Sequence, residues 1–369
     1  MRRSWMTPVW GMVAALTLIV GACSRGPAST KELATERALA DSLVRGFTPS
    51  DPESLTRLVV AARGRTAAFL TKHKDDVPAV LIFVKLRLAE EALSPQQAPV
   101  DSAGMPLDHF ARAADSKKKV ADCLARLEEA TKREPKNAEV YYWKSLVYGL
   151  FEPIYDKLAI DPKRSQLPQA LEAAGKAVEL APDSNAYRTA LATYQMLSGD
   201  DAGALRTLRA GKKKDSPLLR LLSEWETFPV PPKAVLSMRE SAGIAEWMTA
   251  GGLDDANARV RAYWVPGTQD SLRAFYARTW KNLFWMTQKQ RQPNGEEWAF
   301  GSAAILFTAA GYHGVSEKEI KDPGMARAEG ISIQIREVRN AQAKSREVIP
   351  FDPGPVVCEM LLTNHRRVR

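Results

Sequence analysis

A chain of 369 residues with 45% hydrophobic and 26% charged side chains has the composition of a folded soluble protein, and at this length it can bury one large helical array or two modest cores. Its mean hydropathy of −0.28 excludes a polytopic membrane protein. The formal charge is +9, but the only tight basic runs are Lys117–Lys119 and Lys212–Lys214, so the excess reads as a solvated basic surface that also suits an anionic membrane or an acidic partner.

At the amino terminus Arg2 and Arg3 precede an uncharged apolar stretch from Val9 to Val20. That is shorter than the roughly 20 residues a spanning helix needs and has the build of a signal-peptide h-region. It ends in Val20-Gly21-Ala22-Cys23, which resembles the bacterial lipobox. The resemblance implies removal of residues 1–22 and acylation, palmitate included, at Cys23. Several acyl chains, at about 0.8 kcal/mol per buried CH₂, hold a protein stably on a bilayer. Ser24, where an Asp would signal inner-membrane retention, favours the periplasmic face of an outer membrane in a cell that has one. Loss of Arg2 and Arg3 leaves 9 − 2, or +7, on the mature side chains. An exported chain points away from nucleic acid as a partner. Residues 23–30, with Gly26 and Pro27, read as a flexible lipidated tether.

Residues 31–106 read as N-terminal helices. Lys31 to Arg45 is Ala/Leu-rich with Leu39 and Leu43 in phase, and Gly46 stops it. Thr48 to Pro52 breaks the chain. Leu55, Leu58, Val59, Ala62, Thr66, Phe69 and Leu70 then form an i, i+3, i+4, i+7 stripe. Pro78 opens a further helix to about Leu93, and Ser94 to Pro106 reads as a loop.

Residues 107–228 contain an internal repeat. Ala170, Leu171, Ala174, Ala177 and Pro182 are echoed 34 positions later by Ala204, Leu205, Leu208 and Gly211, with Ser216-Pro217 near the expected proline. Upstream, Cys123, Leu124, Leu127, Ala130 and Pro135 have the same spacing. Pro135 and Pro182 stand 182 − 135 = 47 apart, one 34-residue period plus an insertion of 13 around Phe151 to Gln166. Small residues let antiparallel helices approach closely, and the proline turns the chain into the next unit. These markers, with Asn137 to Trp143 as a first helix, resemble the tetratricopeptide repeat. Arg188 departs from that pattern, standing where the family places a bulky or aromatic residue. The resemblance implies an all-α superhelix that binds a protein or peptide on the first helices of its pairs. Here those carry Glu139, Tyr142 and Leu146, then Ala186, Thr189, Thr193 and Met196; few charges suit them to a partly apolar segment.

Residues 229–345, after Pro229-Val230-Pro231-Pro232, read as an aromatic-rich helical region. Helices are expected over Pro232–Ala250, Gln269–Gln290 and Glu296–Tyr312, with a short serine-capped helix at Ser316–Ile320. Ile331, Ile333 and Ile335 alternate as a strand would, but Ile331, Ile335 and Val338 also fit a helix face, and helix is the expectation. Six of the nine tryptophans fall between Trp225 and Trp298, five of them in this region. Tyr276, Trp280 and Phe284 have the spacing of a buried face. Trp285, off that stripe, and Trp264, in an expected loop, are the better candidates for stacking on a glycan or other small molecule. Residues 346–369 read as an extended basic tail docked on the helices.

Chemistry is sparse. His73, His109, His313 and His365 stand apart without metal-ligand spacing. Neither metal nor cofactor is expected. Glu296-Glu297 suit a solvated first helical turn better than an acid/base pair. Cys123 and Cys358 both sit in apolar contexts; in an oxidising compartment the two are candidates for a disulfide that would staple the tail to the repeats. The sequence therefore points to an all-α, membrane-anchored binding or scaffold lipoprotein of the cell envelope, without enzymatic activity. Capture of a glycan or small molecule by the C-terminal aromatics is the alternative, and a cell-wall enzyme with a dispersed site a further one.

Overall fold

The computed structural model describes residues 29–44, 52–93, 109–155, 166–212, 216–237, 255–291, 297–308, 311–321, 329–339 and 356–366, with single positions between 240 and 248. The signal segment, Cys23, most of the tether, the Ser94–Pro106 loop and most of the insertion before Gln166 lie outside the described residues. The chain divides into two compact units, Met1–Lys214 and Asp215–Arg369. The Pro229–Pro232 run therefore lies inside the second unit.

The described part of the first unit is helical: α1 Ser29–Glu32, α2 Ala34–Val44, α3 Pro52–Lys72, α4 Val77–Leu93, α5 His109–Arg133, α6 Ala138–Tyr155, α7 Leu167–Leu180, α8 Asn185–Leu197 and α9 Asp201–Arg209. Six consecutive residues of α4, Ala79 to Val84, are buried. A helix apolar on several faces belongs inside, and α4 packs on α1, α2, α3, α5 and α6. The small or apolar repeat markers fill helix–helix seams: Cys123, Leu127 and Ala130 on α5, Ala170, Ala174 and Ala177 on α7, Ala204, Leu205 and Leu208 on α9 are all buried.

Three turns share one construction. The N–H groups of Asp76, Asn137 and Ser184 donate to the carbonyls of His73, Glu134 and Ala181 at 3.2, 3.0 and 3.1 Å. The same three side chains then accept backbone N–H groups of the helix that follows: Asp76 from Ala79, Asn137 from Glu139, Ser184 from Tyr187. Each satisfies a donor that a helix N-terminus leaves orphaned. Cations brace these turns: Arg133 donates to the Lys74 carbonyl at 2.8 Å, and Arg188 to the carbonyls of Pro182 and Thr207 at 2.9 and 3.2 Å. Arg188 thus ties the turn between α7 and α8 to helix α9, in place of a bulky packing residue.

The second unit overturns the all-α expectation. After α10, Pro217–Thr227, it builds a seven-stranded antiparallel sheet from β1 Val235–Leu236, β2 Val260–Pro266, β3 Met286–Arg291, β4 Glu297–Thr308, β5 Gly311–Gly314, β6 Gly330–Arg339 and β7 Val356–Asn364. The strand order is β1-β2-β7-β6-β4-β3, with β5 paired to β4. Between the strands the described residues form α11 Ala256–Arg259, α12 Gln269–Thr279 and α13 Glu317–Ile320, with further helical positions between 240 and 248. The alternating isoleucines form β6, with Ile331, Ile333 and Ile335 buried on one face opposite Asn364, Leu362 and Met360. The helix expected over Gln269–Gln290 ends at Thr279 and gives way to β3; that over Glu296–Tyr312 is β4 and β5; that over Pro232–Ala250 begins as β1 and is helical at its described positions from Glu240 to Met248. The expected basic tail contains β7, an interior strand between β2 and β6. Its run of apolar residues, interrupted only by Glu359, suits burial on both faces.

Helices α10 and α12 cover the isoleucine face. Tyr276 of α12 is fully buried and its hydroxyl lies 3.3 Å from Met360 Sδ. From α10, Trp225 Nε1 donates to the Ala258 carbonyl at 2.6 Å, and Glu224 accepts from Asn364 Nδ2 at 2.6 Å. The serine-capped helix is present as α13, closed by a reciprocal capping box between Ser316 and Glu319.

Candidate binding cleft

A helix of the first unit can offer a ligand only the face its neighbours leave open. On α6 the residues one position out of phase with the expected stripe are the ones left open. Tyr141, Lys144 and Tyr148, at i, i+3 and i+7, line one wall of a cleft of about 590 Å³. Helix α7 supplies the other wall through Gln169, Glu172, Ala173, Lys176 and Glu179, and α5 contributes Glu128. Both tyrosines are half-buried, whereas Gln169, Glu172 and Glu179 are exposed. The space lies between helices held together by the small residues beneath it, Ala170, Ala174 and Ala177.

Its charges are partly self-compensated. Lys144 Nζ is 2.6 Å from Glu128 and Lys176 Nζ is 2.8 Å from Glu179. Glu172 has no ion pair among the described residues. Lys144 also stands 6.0 Å from the centre of the Tyr148 ring. Burial raises the Tyr148 phenol above its ordinary range, the Lys144 charge opposes this, and Glu128 and Glu172 add to it. The phenol is therefore a neutral donor and an aromatic surface at physiological pH.

The residues singled out from sequence go elsewhere. Tyr142, Leu146 and Met196 are buried; Tyr142 packs against Tyr187 with ring centres 4.7 Å apart. Glu139 is 2.9 Å from Lys85 Nζ and accepts from Trp143 Nε1 at 3.3 Å, so it belongs to an internal ion network. Thr189 and Thr193 turn their hydroxyls onto the carbonyls of Asn185 and Thr189. The cleft involves the same helix but a different face of it. Lys144 and Tyr148, polar and amphipathic at helical spacing after Tyr141, were the signal for the open face.

In the second unit Trp264 is buried, packed with Val338 and Val357 and flanked by Trp298. It sits on β2 opposite Glu359, not in a loop. Trp285 is half-buried beneath the Arg273 guanidinium, 5.6 Å from its ring. The structure does not bring these two rings together as a stacking platform. Cys123 and Cys358 are both buried free thiols, one in each unit. Among the described residues no group of three or more His, Cys, Asp or Glu is placed to hold a metal, and no helix is long and apolar enough to cross a membrane.

No protein-family model matches the chain, and no curated protein or solved structure does.

Proposed function

We propose that this chain is a non-enzymatic binding lipoprotein of the cell envelope, anchored through acylated Cys23 and holding an extended polypeptide segment in the cleft between α5, α6 and α7. The observation that carries the reading is the cleft itself: two half-buried tyrosines and a ladder of polar side chains along adjacent helices, above a close-packed alanine floor. Amphipathic aromatics and pre-positioned polar groups are the usual equipment of a segment-binding groove. The tetratricopeptide-like spacing of the repeat markers supports the same reading, because arrays of helical hairpins present extended surfaces. The lipobox-like Val20–Cys23 run supports the anchor.

Photo-crosslinking in the native cell tests the cleft. A photoreactive phenylalanine at Tyr148 should yield a discrete polypeptide adduct that is absent when the same group replaces the exposed Leu58. Equal adducts from both positions, or none from Tyr148, would remove the cleft as the binding surface. Labelled palmitate tests the anchor separately, and incorporation should vanish in Cys23→Ala.

A further inference from the structure

The charge balance of the cleft names the chemistry of its occupant, on the premise that the cleft is a segment-binding site. Three carboxylates, Glu128, Glu172 and Glu179, face two ammonium groups, Lys144 and Lys176, a balance of 2 − 3 = −1. Lys144 is neutralised by Glu128 and Lys176 by Glu179. Glu172 carries the remaining charge. Beside it the Tyr148 ring already receives one ammonium, that of Lys144 at 6.0 Å. Tyr141 supplies a second half-buried phenol ring to the same wall.

We infer that the cleft receives a cationic side chain of the bound segment, a lysine or arginine whose charge pairs with Glu172 and whose stem lies across Tyr141 and Tyr148. Ring faces attract a cation through their quadrupole, and a nearby carboxylate adds directional hydrogen bonding. An anionic residue in the same place would meet Glu172 directly, while the two cleft lysines are already engaged by Glu128 and Glu179. The mature chain carries a net charge of about +7 (9 − 2). Its overall field therefore repels cations, and any cation held must be held locally.

The test uses the full lipoprotein in detergent with fluorescent pentalysine and pentaglutamate as probes, read by anisotropy at low and at physiological salt. Pentalysine should bind saturably, and pentaglutamate should bind more weakly or not at all. Glu172→Gln should weaken pentalysine at least tenfold and Tyr148→Leu several-fold, with helical circular dichroism unchanged. Asp270→Asn, an exposed carboxylate of the second unit, should leave binding as it was. The inference is overturned if pentaglutamate binds as tightly as pentalysine, if Glu172→Gln leaves pentalysine binding unchanged, or if Asp270→Asn reduces it equally. A polypeptide adduct from position 148 together with failure of pentalysine would sink the cationic occupant and leave the segment-binding reading standing. Pentalysine binding without any adduct would do the reverse.

Discussion

Lys85 shows how a single charge organises the helical unit. Its side chain is 9% exposed, and its ammonium lies 2.9 Å from Asp41 of α2 and 2.9 Å from Glu139 of α6. Burial works against the charge, yet the two carboxylates outweigh it, and the ammonium is held above its ordinary range. A raised basic group contributes stability that is complete below its unfolded-state value and is lost as pH rises through the folded one. Lys85→Met would leave two carboxylates facing each other without a cation. The expected cost near pH 7 is about 2 kcal/mol, in the range for hydrogen bonds to charged groups, read as a lowered urea midpoint. The gap between variant and parent should narrow above about pH 10.5, and a constant gap across alkaline pH would show that the charge is not what Lys85 supplies. Cysteine chemistry makes a second residue-scale case. Burial pushes the Cys358 thiol up to about 12, and Cys123 is buried in the α5 seam. Neither thiol should react with Ellman's reagent in the folded protein. Two should appear on unfolding without reductant, since Cys23 is blocked by its acyl group in the proposed lipoprotein.

At the scale of elements, α6 and α8 approach closely where Gly149 faces Tyr194. A side-chain carbon on Gly149 would collide with the Tyr194 ring, whose hydroxyl donates to the Ser145 carbonyl at 3.0 Å. Gly149→Val should therefore force the helices apart, at a cost of about 2–3 kcal/mol for an overpacked seam. A companion Tyr194→Ala should relieve part of that loss, which a double-mutant cycle measures. These seams were legible in the sequence because small residues recur there at a fixed period, and the period survives in the burial of α5, α7 and α9. The sheet was not legible, for a reason visible in its strands. Ile331, Ile333, Ile335 and Val338 satisfy a period of 2 only as far as Ile335; Val338 faces the other side, beside Trp264 and Val357. The Ala303, Ala304, Ile305, Leu306 run in β4 does not alternate and reads equally as helix or strand. Interior β7 has apolar residues on both faces, so it lacks alternation altogether. Pairing between strands far apart in sequence decided these elements, and one chain read locally does not contain that information. The cleft suffered from a different ambiguity, since choosing which stripe of α6 is open depends on knowing which helices flank it.

At the scale of the whole molecule, the two units report through different signals, which allows their coupling to be measured. Of the nine tryptophans, Trp225, Trp247, Trp264, Trp280, Trp285 and Trp298 belong to the second unit, and the first contains Trp143 as its single described one. Tryptophan emission thus follows mainly the sheet unit, whereas ellipticity at 222 nm follows mainly the helical one. Ile333→Asp would place a charge inside the β6 face, fully buried between the sheet and its covering helices. A buried unpaired carboxylate is among the most destabilising of substitutions, at about 4 kcal/mol or more. If the units fold independently, this variant should move the emission midpoint to lower urea and leave the ellipticity midpoint in place, and Gly149→Val should do the opposite. Coincident shifts of both probes in both variants would mean one cooperative molecule. In that case an occupant of the cleft would stabilise the sheet as well.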